Sequence, residues 1–530
     1  MTRRRQLWLS SSGLLAALVA GFVLASHLPA ALAGSDRSES VDRATREVSG
    51  LRDHAARLRG TISSLRSGID AALRAQADLS DRIDAQSADL QALERQVEDA
   101  EAHRQPNVIL IVTDDQRWDT LWAMPNVQRL LAGHGITFTN AVVTTPLCCP
   151  ARASILSGQD AHTNGVDDNV PSAGCAPSFS DASSLATWLR DAGYTTGLVG
   201  KYLNLYSLLP AGYIPPGWDE WHAIAQERQV NFYDYVLNEN GALVDYGSDP
   251  EDYSTTVLAR QAVDFVSNAE GPFYLHFAPI APHGPATVAP GDEDAFADLP
   301  PLEAPSFDEA DVTDKPWGDE RPQLTPEVEQ NIHLLRRHML QSLLPVDRAI
   351  GDIVDALIAR GQLDNTVIAF TSDNGYMWGE HRRRAKVWPY EESIRVPMVF
   401  RVPWIETAVT DARLVANIDL APTFAQLALT EPGLPVDGLS LVPLLQRKQV
   451  PWRGALMVEY LGEQTGGEDE LPPLYEAVRT ERYIYIEYVN GWRELYDLQT
   501  DPGQLTNRAG EAALATVEAG LAQLLARMSG

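Results

Sequence analysis

The sequence predicts an α/β protein in which a large, mixed, mainly parallel sheet lies between helices, with a small antiparallel subdomain at the C-terminus and a coiled-coil helix at the N-terminus. Three patterns carry that expectation. Asn107 to Thr113 and, much later, Thr366 to Ser372 are continuous apolar runs of the kind that form parallel strands covered on both faces, and they stop at Asp114-Asp115 and Asp373-Asn374. Beyond Leu445 the runs shorten and alternate, as in Tyr483 to Tyr488 and Glu494 to Leu498, which suits antiparallel strands with two different faces. Between Leu51 and Ala100 apolar residues recur on a heptad instead.

In chain order, residues 1–33 read as a signal peptide or signal anchor: Arg3-Arg4-Arg5, a short apolar stretch within residues 13–33, and Ala31-Leu32-Ala33 as a small-residue cleavage site. Arg4-Arg5 followed by apolar residues also has the form of a twin-arginine export signal. Export to the periplasm, cell surface or medium is therefore expected, with membrane anchoring through residues 13–33 as the alternative to cleavage. Residues 36–104 follow as a helical stalk. Leu51, Leu58, Leu65, Ala72, Leu79 and Leu93 hold one heptad position and Ala55, Ile62, Ile69, Ile83, Leu90 and Val97 the other, with Gln76 and Gln86 interrupting the seam. Such a helix is either a stalk that joins copies of the chain into a homo-oligomer or holds the enzyme away from the membrane, or an antiparallel or solitary amphipathic helix lying on the catalytic domain. Residues 105–445 have the length of one large α/β domain, and 446–530 that of an α+β companion closed by a helix from about Glu511 to Met528. Between the strands, the Pro- and acid-rich stretch from Ala286 to Pro326 reads as a long surface loop.

The chain has 72 acidic against 42 basic residues, a formal net charge of −30. No basic stripe is present to meet phosphates, which excludes nucleic acid as a partner class. Cysteines number three in 530 residues.

Chemistry-bearing residues collect where strands should end. In open α/β sheets, ligands gather outside the carboxyl ends of the strands, so Asp114-Asp115 and Asp373-Asn374 can face one crevice as oxygen ligands for a hard cation. Each pair taken alone also suits a helix cap or an Asx turn. Gly193 to Gly200 reads as a strand delivering Lys201, and Phe273 to Ala278 as one followed by Ala281-Pro282-His283. Gly379-Glu380-His381 leads through Arg382 to Arg384 to Lys386. Singly, these are a solvated lysine, a loop histidine and a charged face; their order and strand-end placement favour one cationic site.

Leu147-Cys148-Cys149-Pro150-Ala151-Arg152, continuing to Ser157-Gly158, has the pattern C-x-P-x-R, and with Gly193 to Tyr202 it resembles the two signatures of type I, formylglycine-dependent sulfatases. The resemblance covers roughly four fifths of the chain. It implies an alkaline-phosphatase-like sulfatase fold, with Cys148 oxidised to formylglycine by a formylglycine-generating enzyme. The reason for that conversion is chemical: a thiol would keep the sulfate it attacked, whereas an aldehyde hydrate passes one oxygen to sulfur and uses the other to expel sulfate as the aldehyde re-forms. By resemblance, Asp114, Asp115, Asp373, Asn374 and the modified Cys148 hold Ca2+, with Mg2+ as the alternative. Lys201, His283 and Lys386 contact the sulfate and the leaving oxygen, Arg152 helps hold the hydrated aldehyde at position 148, and His162 and His381 are candidate substrate contacts. Many family members carry a histidine two positions after the lysine matching Lys201; here Leu203 stands there, so the general base is not assigned. Should Cys148 be converted, Cys149 and Cys175 remain either as a disulfide or as two core thiols, and their separation decides.

Gly200 to Tyr206, Tyr213 to Trp221 and the Cys-Cys pair are similar to the branch holding N-acetylglucosamine-6-sulfatases and the extracellular heparan endosulfatases. The expected substrate is accordingly a sulfated carbohydrate or small sulfate ester, and the net charge disfavours a long polysulfated chain. Two other classes are weighed: a phosphodiester or phosphonate monoester hydrolase of the same superfamily, and a noncatalytic exported coiled-coil scaffold.

Overall fold

Alternation along single strands shows how the domain is built. In a computed structural model of the protein, which describes residues 36–102, 105–170, 174–225, 230–316, 321–462 and 471–529, the run Asn107–Thr113 forms strand β1, buried at every position. Val108, Leu110 and Val112 enter one hydrophobic core while Ile109 and Ile111 enter another, because successive side chains leave opposite faces of a strand. A strand apolar on both faces must be covered on both, and helices do this.

The strands in order are β2 (Gly135–Val142), β3 (Thr195–Gly200), β4 (Glu220–Ile224), β5 (Tyr235–Glu239), β6 (Ala242–Tyr246), β7 (Phe273–Ala278), β8 (Thr366–Ser372), the short pair β9 (Met377–Trp378) and β10 (Arg384–Ala385), then β11 (Met398–Arg401) and β12 (Val409–Ala416). All but β9 and β10 join one ten-stranded sheet in the order β12-β2-β11-β8-β1-β7-β3-β4-β5-β6. Its centre, β8-β1-β7-β3-β4, is parallel, with Val108 opposite Tyr274 on one side and Val367 on the other. Antiparallel pairings of β11 with β8 and β2, and of β5 with β4 and β6, make the sheet mixed.

The described residues give the following longer helices: α1 (Asp36–Ala102), α2 (Cys148–Ser157), α3 (Leu185–Asp191), α4 (Ser254–Asn268), α5 (Pro326–Ala359), α6 (Leu420–Leu427) and α7 (Ala515–Met528). Side chains of α2, α3 and α6 fill the core on the Val108 face, and those of α4 and α5 the core on the Ile109 face. Helix α5 starts where its sequence says it should: Thr325 caps Val328 N and Pro326 takes the first turn, where its missing N–H costs nothing.

The antiparallel sheet β13 (Ala455–Tyr460), β14 (Tyr475–Thr480), β15 (Tyr483–Tyr488) and β16 (Arg493–Asp497) follows the alternation beyond Leu445. Leu456, Val458, Ile484 and Ile486 turn toward Leu147, Met377, Trp388 and Tyr390 of the main domain, while Met457, Val478, Tyr485 and Leu495 pack beneath Leu521 and Leu525 of α7. The closing helix begins at Ala515, after a single 3-10 turn at Ala512–Leu514, slightly later than the sequence suggests.

One expectation changes in character. The stretch from Ala286 to Pro326 has no helix or sheet strand among its described residues before α5, but it is not merely a surface loop: Ser306, Glu309, Val312 and Lys315 are buried, and Phe307 bridges Glu380. The chain divides into two compact units, Met1–Ala102 and His103–Gly530. Helix α1 alone makes up the described part of the first, as one uninterrupted 67-residue helix. The expected signal segment, including residues 13–33, lies outside the described residues. Among the described residues no helix is long and apolar enough to cross a membrane.

Candidate active site

Neighbouring strands β8, β1, β7 and β3 end on the same side of the sheet, and their exits are tied to each other by backbone. Asp373 N donates to Thr113 O (3.1 Å), Asp114 N to Ala281 O (3.1 Å), and Lys201 N to Ala278 O (2.8 Å). Gln116 N donates to Ser372 Oγ (2.9 Å), which locks the turn after β1 onto the end of β8. Gly200 has φ +119°, and a Cβ there would collide with the Ala278 carbonyl, so glycine lets Lys201 leave its strand this close to β7. Gly375 serves similarly beside Asn374, where a side chain would meet the Glu392 carbonyl.

Cys148 arrives from β2. It opens helix α2 behind Leu147, whose backbone is extended and whose side chain gives no cap. Cys149 N donates to Asn169 Oδ1 (3.0 Å), and Cys149 is disulfide-bonded to Cys175 at a Cα–Cα distance of 5.5 Å. Lys386 comes from the far side, just after the β9–β10 pair. His381, Arg382, Ala385 and Val387 around it have φ between 51° and 75°, a conformation that is costly for a β-branched residue such as Val387. Val387 is pinned there, its N–H donating to Pro146 O (3.1 Å) and its carbonyl accepting from Tyr475 Oη (3.0 Å).

Around the Cys148 thiol the charges alternate closely. Lys386 Nζ lies 2.6 Å from Sγ and 2.5 Å from Asp115 Oδ1. Asp114 Oδ1 lies 3.6 Å from Sγ, and its Oδ2 takes Lys201 Nζ at 2.6 Å. Arg152 spans two strands, with Nε 2.8 Å from Asp373 Oδ2 and Nη2 3.7 Å from Asp114 Oδ2. Asp115 N donates to Asp373 Oδ1 (3.1 Å), joining the two acidic strand ends directly. His283 Nε2 stands 3.6 Å from Asp115 Oδ2, while Nδ1 lies 2.6 Å from Gly284 O. A carbonyl only accepts, so Nδ1 carries a proton and Nε2 is the nitrogen free to take or give one.

The electrostatics follow from burial. Burial pushes the Cys148 thiol up to about 11, despite the pull of Lys201 and Lys386. Burial opposes ionisation of Asp114 too, but Lys201, His283, Arg152 and Lys386 hold its carboxyl well below the usual range. Asp373 is pushed up, first by burial and then by the neighbouring Asp114 charge. Lys386 is held above its ordinary value by Asp115, Cys148 and Asp114 against the cost of burial.

These residues fit a divalent cation. Asp114, Asp115, Cys148 and His283 offer ligand atoms within 4.8 Å of one another. Asp114, Asp115 and Asp373 are each at most 1% exposed, and the buried Asn374 Oδ1 has no hydrogen-bond partner although its Nδ2 donates to Asp115 Oδ1 (2.7 Å). Carboxylates with an amide oxygen are the donor set of a hard cation.

The remaining candidates lie further out. His162 is half-exposed and bound through Nδ1 to Glu459 (2.9 Å). His381 is fully buried, its Nδ1 2.6 Å from Glu309 Oε2 and its ring 4.2 Å from that of Tyr390, where it links the 286–326 stretch to the Lys386 turn. Leu203 packs in the main core. Sequence reasoning missed Arg117, which pairs with Glu380 at 2.5 Å and lies over the Trp378 ring at 4.4 Å, bracing the Asp115 turn against the turn that carries Lys386. Its one signal was an arginine two places beyond a strand-end acidic pair. Asn169 was missed as well, since nothing local marks an acceptor for Cys149 N.

Such a centre has few uses. Its cations can take up an oxyanion and its carboxylates are the donors a metal ion would need, with residue 148 between them, an arrangement that suits a hydrolase of anionic esters. Residues 106–430 match the family model described as Sulfatase and residues 379–530 that described as N-sulphoglucosamine sulphohydrolase, C-terminal; the chain belongs to the sulfatase family. It is 35% identical to the human N-acetylglucosamine-6-sulfatase over 454 residues, covering 77% of this chain and 81% of that protein. The Drosophila melanogaster extracellular sulfatase SULF-1 homolog is 36% identical over 387 residues, 71% of this chain, which spans only 34% of that longer protein. Among solved structures, one in complex with its substrate D-glucosamine-2-N,6-O-disulfate has a TM-score of 0.67 and 27% identity, covering 80% of this chain and 97% of that one. The fold expected from the sequence is therefore the fold found.

Proposed function

We propose that the protein is an exported sulfuric ester hydrolase that releases inorganic sulfate from the 6-position of an amino sugar or from a comparable small sulfate ester. The observation that carries this reading is Cys148 at the first turn of α2, within reach of Lys386 and beside Asp114, in the C-x-P-x-R setting that a formylglycine-generating enzyme reads. Formylglycine at position 148 would supply, as its hydrate, a nucleophile that can release the sulfate it takes up. Asp114, Asp115, Asp373 and Asn374 would hold Ca2+ or Mg2+ beside it, neutralising charge on the sulfate.

The chain's own residues do the rest. Arg152 and Lys386 hold residue 148 and the sulfate oxygens in place, and Lys201 balances Asp114 at the base of the site. His283 keeps Nδ1–H on Gly284 O, and in its doubly protonated form it gives the Nε2 proton to the departing alcohol oxygen, leaving the neutral Nδ1–H ring. Burial of Asp114, Arg152 and Lys201 strengthens their interactions, while His283 and Lys386 stay partly exposed at the mouth of the site.

The choice of a 6-sulfated amino sugar is supported by the human relative's name and by the disulfated glucosamine held by the similar solved structure. A net charge of −30 favours small substrates over long polyanions. Export is supported by the basic and apolar N-terminus and by relatives named as extracellular.

The test is sulfate release by protein produced beside a formylglycine-generating enzyme. N-acetylglucosamine-6-sulfate and an aryl sulfate are compared with a phosphodiester and a phosphonate monoester. A kcat/KM higher for the sulfates supports the proposal. Preference for the phosphorus esters would move the protein to the other hydrolase class, and no turnover of either, with position 148 converted, would leave the scaffold reading.

A further inference from the structure

Taken by itself, helix α1 carries an apolar stripe along its length. Val41, Val48, Leu51, Leu58, Ile62, Leu65, Ile69, Leu79, Ile83 and Leu90 are each 48–67% exposed along a single 67-residue helix. A helix about 100 Å long, from its 1.5 Å rise per residue, that presents such a stripe to water is incomplete by itself.

The two columns of the stripe are not alike. Written as a heptad, position a takes the β-branched Val41, Val48, Ile62, Ile69 and Ile83, together with Ala55 and Leu90. Position d takes Leu51, Leu58, Leu65 and Leu79, together with Ala44 and Ala72. In parallel coiled coils, β-branched residues at a with leucine at d select two strands, whereas leucine at a or isoleucine at d shifts the preference to higher orders. Gln76 falls at a and Gln86 at d, where a polar side chain is satisfied best opposite itself, which fixes an in-register alignment.

Charge agrees at the N-terminal half: Glu47 at g faces Arg52 of the partner subunit at e, twice by symmetry. Elsewhere among the described residues g and e carry no opposite-charge pair, His54 facing the partner's Arg59 and Arg82 facing the partner's Ser87. Area decides in favour of association. At roughly 60–120 Å² per side chain, covering the ten exposed aliphatic residues buries about 600–1,200 Å² per chain, so a pair reaches the ~1,600 Å² of a stable interface.

We propose that α1 pairs with α1 of a second copy of this chain as a parallel, in-register, two-stranded coiled coil, so that the enzyme is a homodimer joined through its N-terminal helix. The inference is independent of the catalytic reading.

Light scattering on the eluting whole chain tests it. The 58.1 kDa chain should appear at the mass of two copies. The variant I62D/L65D/I69D should appear at the mass of one, a twofold drop, with kcat unchanged. Ile83→Cys should form a disulfide-linked dimer on mild oxidation, because equivalent a positions meet only in a parallel, in-register pair. A single-chain or three-chain mass for the unaltered protein overturns the proposal. So does a two-chain mass that survives in the triple variant, or failure of Ile83→Cys to cross-link.

Discussion

Cys148 as encoded is a poor nucleophile. With its thiol pushed up to about 11 by burial, only ~10⁻⁴ of it would be thiolate at neutral pH, so the chemistry has to come from what the side chain is converted into. Cys148→Ala should therefore lower sulfate release by about 10³-fold or more while leaving the Tm of the folded protein nearly unchanged; retained turnover would show that another group attacks. His283→Gln should cost ~10²–10⁴ in kcat, measured as initial rates of sulfate release, since Nε2 is the nitrogen that faces the site; an unchanged kcat would remove His283 from the proton transfer. His162 gives a test away from the chemistry. Its hydrogen bond to Glu459 raises it from 6.5 to about 9, so its contribution to stability is complete below pH 6.5 and is lost as pH rises through about 9. His162→Gln should flatten the decline of Tm across that window, modestly, because the side chain is half-exposed.

At the level of elements, the disulfide and the strand exits do different work. Cys149–Cys175 closes a 26-residue separation and ties the start of α2 to the loop after it, so replacing both cysteines by serine should cost about 3 kcal/mol, read as a lower urea midpoint. An unchanged midpoint would mean that packing alone holds the first turn of α2. The strand exits were legible because the sequence wrote them twice: an apolar run that stops at polar ligands is a local pattern, and Asp114, Asp373, Lys201 and His283 all stand at such stops. Arg117, Asn169 and Glu309 were not legible. Each acts on a partner far away in sequence, Arg117 on Glu380, Asn169 on Cys149 and Glu309 on His381, and such pairs become visible only when the fold brings them together. The same holds for the 286–326 stretch. Its composition says loop, while its burial comes from packing against the Lys386 turn, which composition does not encode.

For the molecule as a whole, the sheet acts as a device for concentrating charge. A protein with net charge −30 places Arg152, Lys201, His283 and Lys386 around buried carboxylates at one edge of its sheet, creating a local cationic site in an acidic background. A divalent cation held by the carboxylates and Asn374, as proposed, would bind only the folded site, so chelation should lower both activity and Tm, and Ca2+ or Mg2+ should restore both in proportion to saturation; loss of neither would argue against a resident metal. The fold class and the charged centre could be read from one chain because period-2 and strand-end patterns are local, whereas the pairing of α1 depends on a second copy.

Everything in this account turns on position 148. The most direct measurement is the mass of the reduced tryptic peptide Leu130 to Arg152 from protein produced beside a formylglycine-generating enzyme shown to be active on a control substrate. The account predicts a peptide in which the Cys148 side chain has lost sulfur and two hydrogens and gained one oxygen, with Cys149 unchanged. A peptide carrying two intact cysteines would contradict it.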